Sequence, residues 1–267
     1  MLSLQQYIKI SNYHCSMAKT NIISVLNHKG GVGKTTSVAN IGAGLQKLGK
    51  RVLLIDIDPQ ANLTMHLYGE AAAGEHTIYG AMLGKYPLPV VEILPGLDMV
   101  ISTLDLSGVE IDLQNEPGRE YILRELLTPV LNDYDYILID CPPSIGLITV
   151  FALSTSTHTI IPVEAGTFAL IGMTKLFDII DKVKSRLNKK LSSYRILITK
   201  YDSRKTIQRE IAERIRAQYG NKVFKTAINA NVSLEEATMA RRSVFEVAPK
   251  SSGAANYLSV CEEIINQ

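Results

Sequence analysis

Apolar and polar positions along the chain alternate between two periods. Residues 22–27, 51–57, 136–140, 159–163 and 195–199 are short, nearly continuous apolar runs. Such runs fit strands buried on both faces of a sheet. Leu97–Ser102 reads as a further strand and 223–227 as a short edge strand. Between them lie segments of helical spacing. One helix is predicted over 35–48, stopped by Gly49, and others over 77–83, 119–131, 169–187, 206–219 and 254–265. The 119–131 segment places Ile122, Leu123, Leu126, Leu127 and Val130 on one face, and 206–219 carries Ile207, Ile211 and Ile215 on one stripe. Strand–helix alternation of this kind predicts an α/β fold: a doubly wound, mostly parallel sheet with helices on both faces. Ligands of such sheets bind at the carboxyl ends of the strands.

The first of these strand–helix junctions carries the clearest chemistry. Asn27-His28-Lys29-Gly30-Gly31-Val32-Gly33-Lys34-Thr35-Thr36 follows a strand and opens a helix, the context a P-loop requires. Glycines let the backbone wrap phosphate oxygens, and the N–H groups of the turn and of the helix N-terminus donate to the anion. Lys34 places a cation on the β and γ phosphates, and the Thr35 hydroxyl can ligate Mg²⁺. The expected ligands are therefore ATP and Mg²⁺. The glycine usual six residues before the lysine is replaced by His28, and a second lysine, Lys29, precedes the glycine pair. Asp140 ends an apolar strand, the Walker B form, and is expected to hold Mg²⁺. Asp56 and Asp58 stand at the end of the second buried strand, near the phosphates. The alternative for Asp58 is a helix N-cap before Pro59.

Lys-Gly-Gly-Val-Gly-Lys-Thr-Thr resembles the deviant Walker A motif of the ParA/MinD group. Asp56-Ile57-Asp58-Pro59-Gln60-Ala61-Asn62 and Ile139-Asp140-Cys141-Pro142-Pro143-Ser144 resemble that group's second and third segments. The likeness runs from about residue 21 to 265. It implies a P-loop ATPase that forms an ATP-dependent homodimer. Lys29 would be the signature lysine reaching the partner subunit's phosphates, alongside Lys34 in catalysis. Asp58 would orient the attacking water, with Asp56 nearer the metal beside Thr35 and Asp140. Residues 29–36 (Lys29, Gly30, Gly31, Val32, Gly33, Lys34, Thr35 and Thr36) would hold the phosphates, and Thr199 and Asp202 are candidates for the adenine. Two departures stand out. The group's Ile-Pro-Arg-Asn reads Ile228-Asn229-Ala230-Asn231 here, and its glutamine after Ile-Pro-Val is Glu164.

Charge narrows the partner. The chain of 267 residues has a net charge of only +2, but residues 182–250 hold 17 Lys/Arg against 6 Asp/Glu, whereas 1–181 hold 11 against 18. A basic third on an acidic body suits a polyanion. With the resemblance, this points to non-specific double-stranded DNA, with Lys222, Lys225, Arg241, Arg242 and Lys250 as candidate contacts away from the phosphate site. A ParB-like activator would stimulate hydrolysis. The implied function is DNA partitioning of a plasmid or chromosome; the alternative is a ParA-like ATPase positioning a protein assembly. The segment 254–267 carries Glu262 and Glu263 and no Lys or Arg, unlike the basic membrane helix of MinD-type relatives. No apolar run reaches the roughly 18 residues of a membrane span. Three cysteines, Cys15, Cys141 and Cys261, show no metal or disulfide spacing. The expected location is the cytoplasm, associated with the nucleoid. Residues 1–19 read as a flexible extension, with Met17 as an alternative start, and 20–267 as a single domain.

Overall fold

A computed structural model describes residues 20–70, 75–166 and 169–266. The predicted extension, 1–19, lies outside the described residues.

Seven strands form one sheet: β1 (Asn21–Val25), β2 (Val52–Asp56), β3 (Val90–Leu94), β4 (Leu97–Val100), β5 (Tyr136–Asp140), β6 (His158–Glu164) and β7 (Ser193–Thr199). Their order is β3-β4-β2-β5-β1-β6-β7. All neighbours are parallel except β3 and β4, which form an antiparallel edge pair. The strands β2 and β5 are buried at every position, as continuous apolar runs require. Successive residues serve opposite faces. Leu53 and Ile55 pack into one core, and Val52 and Leu54 into the other.

Helices cover both faces. In chain order they are α1 (Lys34–Lys47), α2 (Asn62–Leu67), α3 (Ile78–Met82), α4 (Val109–Asp112), α5 (Ile122–Leu127), α6 (Leu147–Thr155), α7 (Ala169–Arg186), α8 (Thr206–Tyr219), α9 (Val232–Met239), α10 (Val244–Val247) and α11 (Ser252–Ile265). On one face Phe151 of α6, Met173 and Leu176 of α7, and Ile211 and Ile215 of α8 close the core. On the other, Val38, Ile41 and Leu45 of α1 meet Tyr257, Val260 and Ile264 of α11.

The structure corrects three expectations. Residues 223–227 make no strand; Val223 forms an isolated bridge with Ile196, and the segment runs on as loop. The 119–131 helix is divided into a 3-10 turn, the α-helix α5 and a second 3-10 turn that contains Pro129 near its start. Proline has no N–H to continue the α ladder. Ile207 does not join its stripe: it is exposed, while Ala212 is buried beside Ile211 and Ile215.

Candidate nucleotide site

The loop between β1 and α1 is shaped from within. Asn27 donates from Nδ2 to the Pro162 carbonyl at 2.8 Å and accepts from the Lys29 N–H at 3.0 Å. Gly31 and Gly33 have φ of 72° and 86°, left-handed values that glycine adopts without steric cost. Thr199, at the end of β7, donates to the Val32 carbonyl at 2.8 Å and braces the loop from the other side. Lys34 folds back over the turn, its Nζ 3.3 Å from the Lys29 carbonyl. Burial lowers the Lys34 pKa, while Asp140 and Asp58 act in the opposite direction.

Two buried carboxylates stand side by side. The ladder between β2 and β5 pairs Asp56 with Asp140, both fully shielded from solvent. Asp140 Oδ2 accepts from the Thr35 hydroxyl at 2.7 Å. Its other oxygen, Oδ1, is buried with no hydrogen-bond partner among the described residues. Burial, then the charge of Asp56, pushes the Asp140 pKa well above the usual carboxylate range. A buried carboxylate oxygen left without a donor, beside a hydroxyl, is a donor set a hard divalent cation takes. Thr35 and Asp140 therefore fit Mg²⁺, which when bound neutralises charge on the phosphate oxygens.

Asp56 has a different environment. Its Oδ1 accepts from the Asp58 N–H at 3.1 Å, and its Oδ2 from the N–H and hydroxyl of Thr64, both at 2.8 Å. Burial raises its pKa to about 6 against the lowering effect of these donors. The Thr64 hydroxyl accepts from the Ser102 N–H, and Ser102 Oγ donates to the Asp58 carbonyl. The Asp56 carboxylate thus fastens the 58–64 segment, next to Asp140. Asp58 lies past the end of β2. Its Oδ1 accepts from the Gln60 N–H at 2.9 Å, and the residue lines the cleft over the P-loop.

Two adjoining cavities open there. The first, about 590 Å³, is lined by the P-loop residues Gly30, Gly31, Gly33, Lys34, Thr35 and Thr36, by Asp58, and by Asn62, Met65, His66 and Arg241. The second, about 430 Å³, shares Gly33, Thr36, Lys200, Thr238 and Met239 with the first. It extends past Thr199 and residues 228–231 to Leu234 and Tyr257. One cavity presents phosphate donors, and the other mixes apolar and amide groups suited to a base and sugar.

Other expected residues fall elsewhere. Asp202 is absent from the lining of both cavities; its carboxylate is held by Arg204 at 2.9 Å, which lowers its pKa to about 2. Lys29 is also absent from the phosphate cavity, with its Nζ 3.5 Å from Glu164 Oε2 and its side chain 55% exposed. The five basic candidates do not share one surface. Lys222 and Lys225 lie with Ser193 and Tyr194 at the start of β7. Arg241 lines the phosphate cavity itself, contrary to its expected place away from that site, because the chain turns back over α2 after α9. Arg242 is exposed and its carbonyl meets His66 Nε2 at 3.0 Å, while Lys250 is exposed ahead of α11. Sequence reasoning marked 228–231 only as a departure from the group's pattern, and it did not find Lys200, Leu234, Thr238 or Tyr257, since no local motif joins them.

A glycine loop on a helix N-terminus, a Thr–Asp metal pair and a buried carboxylate over the phosphates define a Mg²⁺-dependent P-loop ATPase. Comparison with known proteins narrows the class. A family model described as an AAA domain matches residues 20–193. The chain is 39% identical over 248 residues to the sporulation initiation inhibitor protein Soj of Bacillus subtilis, covering 91% of this chain and 97% of Soj. It is 37% identical over 251 residues to the chromosome partitioning protein ParA of Caulobacter vibrioides, covering 92% and 94%. The fold matches cobyrinic acid a,c-diamide synthase of Mycobacterium smegmatis with bound ATP analog and magnesium. There the TM-score is 0.83 at 32% identity, over 92% of this chain and 94% of that one. The chain belongs to the ParA family of partitioning ATPases.

Proposed function

We propose that this ATPase is a DNA-partitioning switch. In this reading ATP is sandwiched between two copies of the chain, and the dimer binds duplex DNA without regard to sequence. A ParB-like partner stimulates hydrolysis, Asp58 orients the water, and release follows. The cargo is a plasmid or chromosome, and the working location is the nucleoid.

The position of Lys29 carries this reading. Lys29 stays out of its own phosphate cavity, and its partly exposed ion pair with Glu164 can be exchanged for a neighbour's phosphates. A cation supplied across an interface offsets charge that develops during phosphoryl transfer. The partitioning roles in the names of Caulobacter ParA and related proteins support the cargo. The DNA surface is supported by charge alone: Arg204, Arg209 and Arg214 are exposed on or beside α8, and Lys222 and Lys225 at its far end.

The test is binding to random-sequence duplex with ATP, ADP or no nucleotide at two salt concentrations. Tight binding that requires ATP and weakens steeply with salt is expected. Hydrolysis without DNA binding in any state would overturn the DNA reading and favour a protein assembly as the positioned cargo.

A further inference from the structure

Arg241 has an unusual backbone for its type. The helix α9 ends at Met239 with Ala240 as C-cap, and Arg241 follows with φ of 54°. The Arg241 N–H bonds to the Thr238 carbonyl and the Arg242 N–H to the Ala237 carbonyl, both at 3.1 Å. This pair of bonds closes a helix through a left-handed residue, a position that favours glycine because Cβ crowds the backbone there. A long side chain kept in that conformation points to a requirement for the side chain itself.

The surroundings say where it acts. A Cβ built on Gly69, whose own φ is 103°, would lie 3.0 Å from Arg241 Nη1, so the absence of a side chain at 69 leaves room for the guanidinium. Among the described residues no carboxylate comes within ion-pair distance of Arg241, although Lys29, Arg51, Arg195 and Arg204 each have one. Arg241 lines the cavity that holds Lys34 and Thr35, and not the adjoining one.

We infer that Arg241 is a nucleotide-binding residue, a cation that reaches the polyphosphate of ATP from the turn after α9. The inference rests on the cleft being the nucleotide site. A guanidinium is suited to the task, since its planar fork matches phosphate oxygens and its charge persists at any working pH.

The test uses the full chain and its Arg241→Gly, Arg241→Lys and Arg242→Ala variants. Calorimetry with Mg²⁺-ATPγS gives affinity, and thermal melting without nucleotide gives stability. Glycine suits the left-handed position, so Arg241→Gly should melt higher than the parent. The same variant should bind Mg²⁺-ATPγS at least tenfold more weakly. Arg241→Lys should recover part of the affinity, and Arg242→Ala should bind like the parent. A stable Arg241→Gly protein with unchanged ATPγS affinity would overturn the assignment. So would a defect confined to duplex DNA at saturating ATPγS, which would return Arg241 to a DNA surface. If the parent fails to bind Mg²⁺-ATPγS, the reading of the cleft fails and the inference falls with it.

Discussion

Lys29 Nζ lies 3.5 Å from Glu164 Oε2, so the signature lysine is paired within its own subunit. Both side chains are partly exposed, and such a pair is worth below about 1 kcal/mol. Glu164→Gln should therefore promote ATP-dependent dimerisation by at most about fivefold, the factor that 1 kcal/mol represents. Sedimentation across a protein concentration series with ATP would measure this. Lys29→Ala should keep nucleotide binding and lose the dimer; an intact ATP dimer in that variant would remove Lys29 from the interface.

Asp58 lines the cleft and its carboxylate is held by the Gln60 N–H. Loss of a group that positions the attacking water should slow single-turnover hydrolysis by about 10²- to 10⁴-fold, in the range of general-base effects. Asp58→Ala should accumulate as an ATP-bound dimer while ATP affinity changes little. Normal turnover would place water activation elsewhere.

Asp140 Oδ1 is buried without a partner among the described residues, and burial with the neighbouring Asp56 raises the Asp140 pKa. A carboxylate whose pKa is raised on folding weakens the fold in full above the folded pKa; the cost shrinks as pH falls below that value and is gone below the unfolded pKa. Asp140→Asn should therefore melt higher than the parent at neutral pH without nucleotide or metal. The further rise that Mg²⁺ and ATPγS bring to the parent should shrink in the variant. Melting curves with and without both ligands test the two halves separately.

Glu263 ties α11 to the loop before α9. It accepts from the N–H groups of Lys225 and Thr226 and pairs with Arg195 at 2.9 Å. Burial alone would raise its pKa, but the Thr226 and Lys225 donors and Arg195 outweigh it and hold the value below the usual range. A depressed carboxylate stabilises above its unfolded pKa, and that contribution fades as pH falls through the folded one. Glu263→Gln should cost about 2 kcal/mol at pH 7, the scale of a charged hydrogen bond. For a chain of this size that is a fall of about 4–8 °C in Tm. The gap between variant and parent should close below about pH 4, near the glutamate reference value.

The central sheet was legible because β1, β2 and β5 are continuous apolar runs, and the P-loop because its residues are contiguous. The edge strand β3 was missed, since it follows Pro87 and Pro89 and none of its residues is fully buried. The helix α9 was missed because Ala237 is its one buried residue and no stripe marks it. The phosphate side of the site was visible for the reason the loop was. The base side was visible only at Thr199: Leu234 and Tyr257 come from separate elements, and only folding brings them beside it. Local spacing also could not reveal that Asp56 would be taken up by Thr64, or that Arg241 would double back to the phosphates.

Tyr257 lies against both the helix that follows the P-loop and the second cavity. Its hydroxyl shares a hydrogen bond with Ser37, 3.1 Å away and 220 positions earlier in the chain. During synthesis, the phosphate loop leaves the ribosome long before the wall that completes its cleft. A nascent chain therefore carries the phosphate motif before Tyr257 is there to line the second cavity.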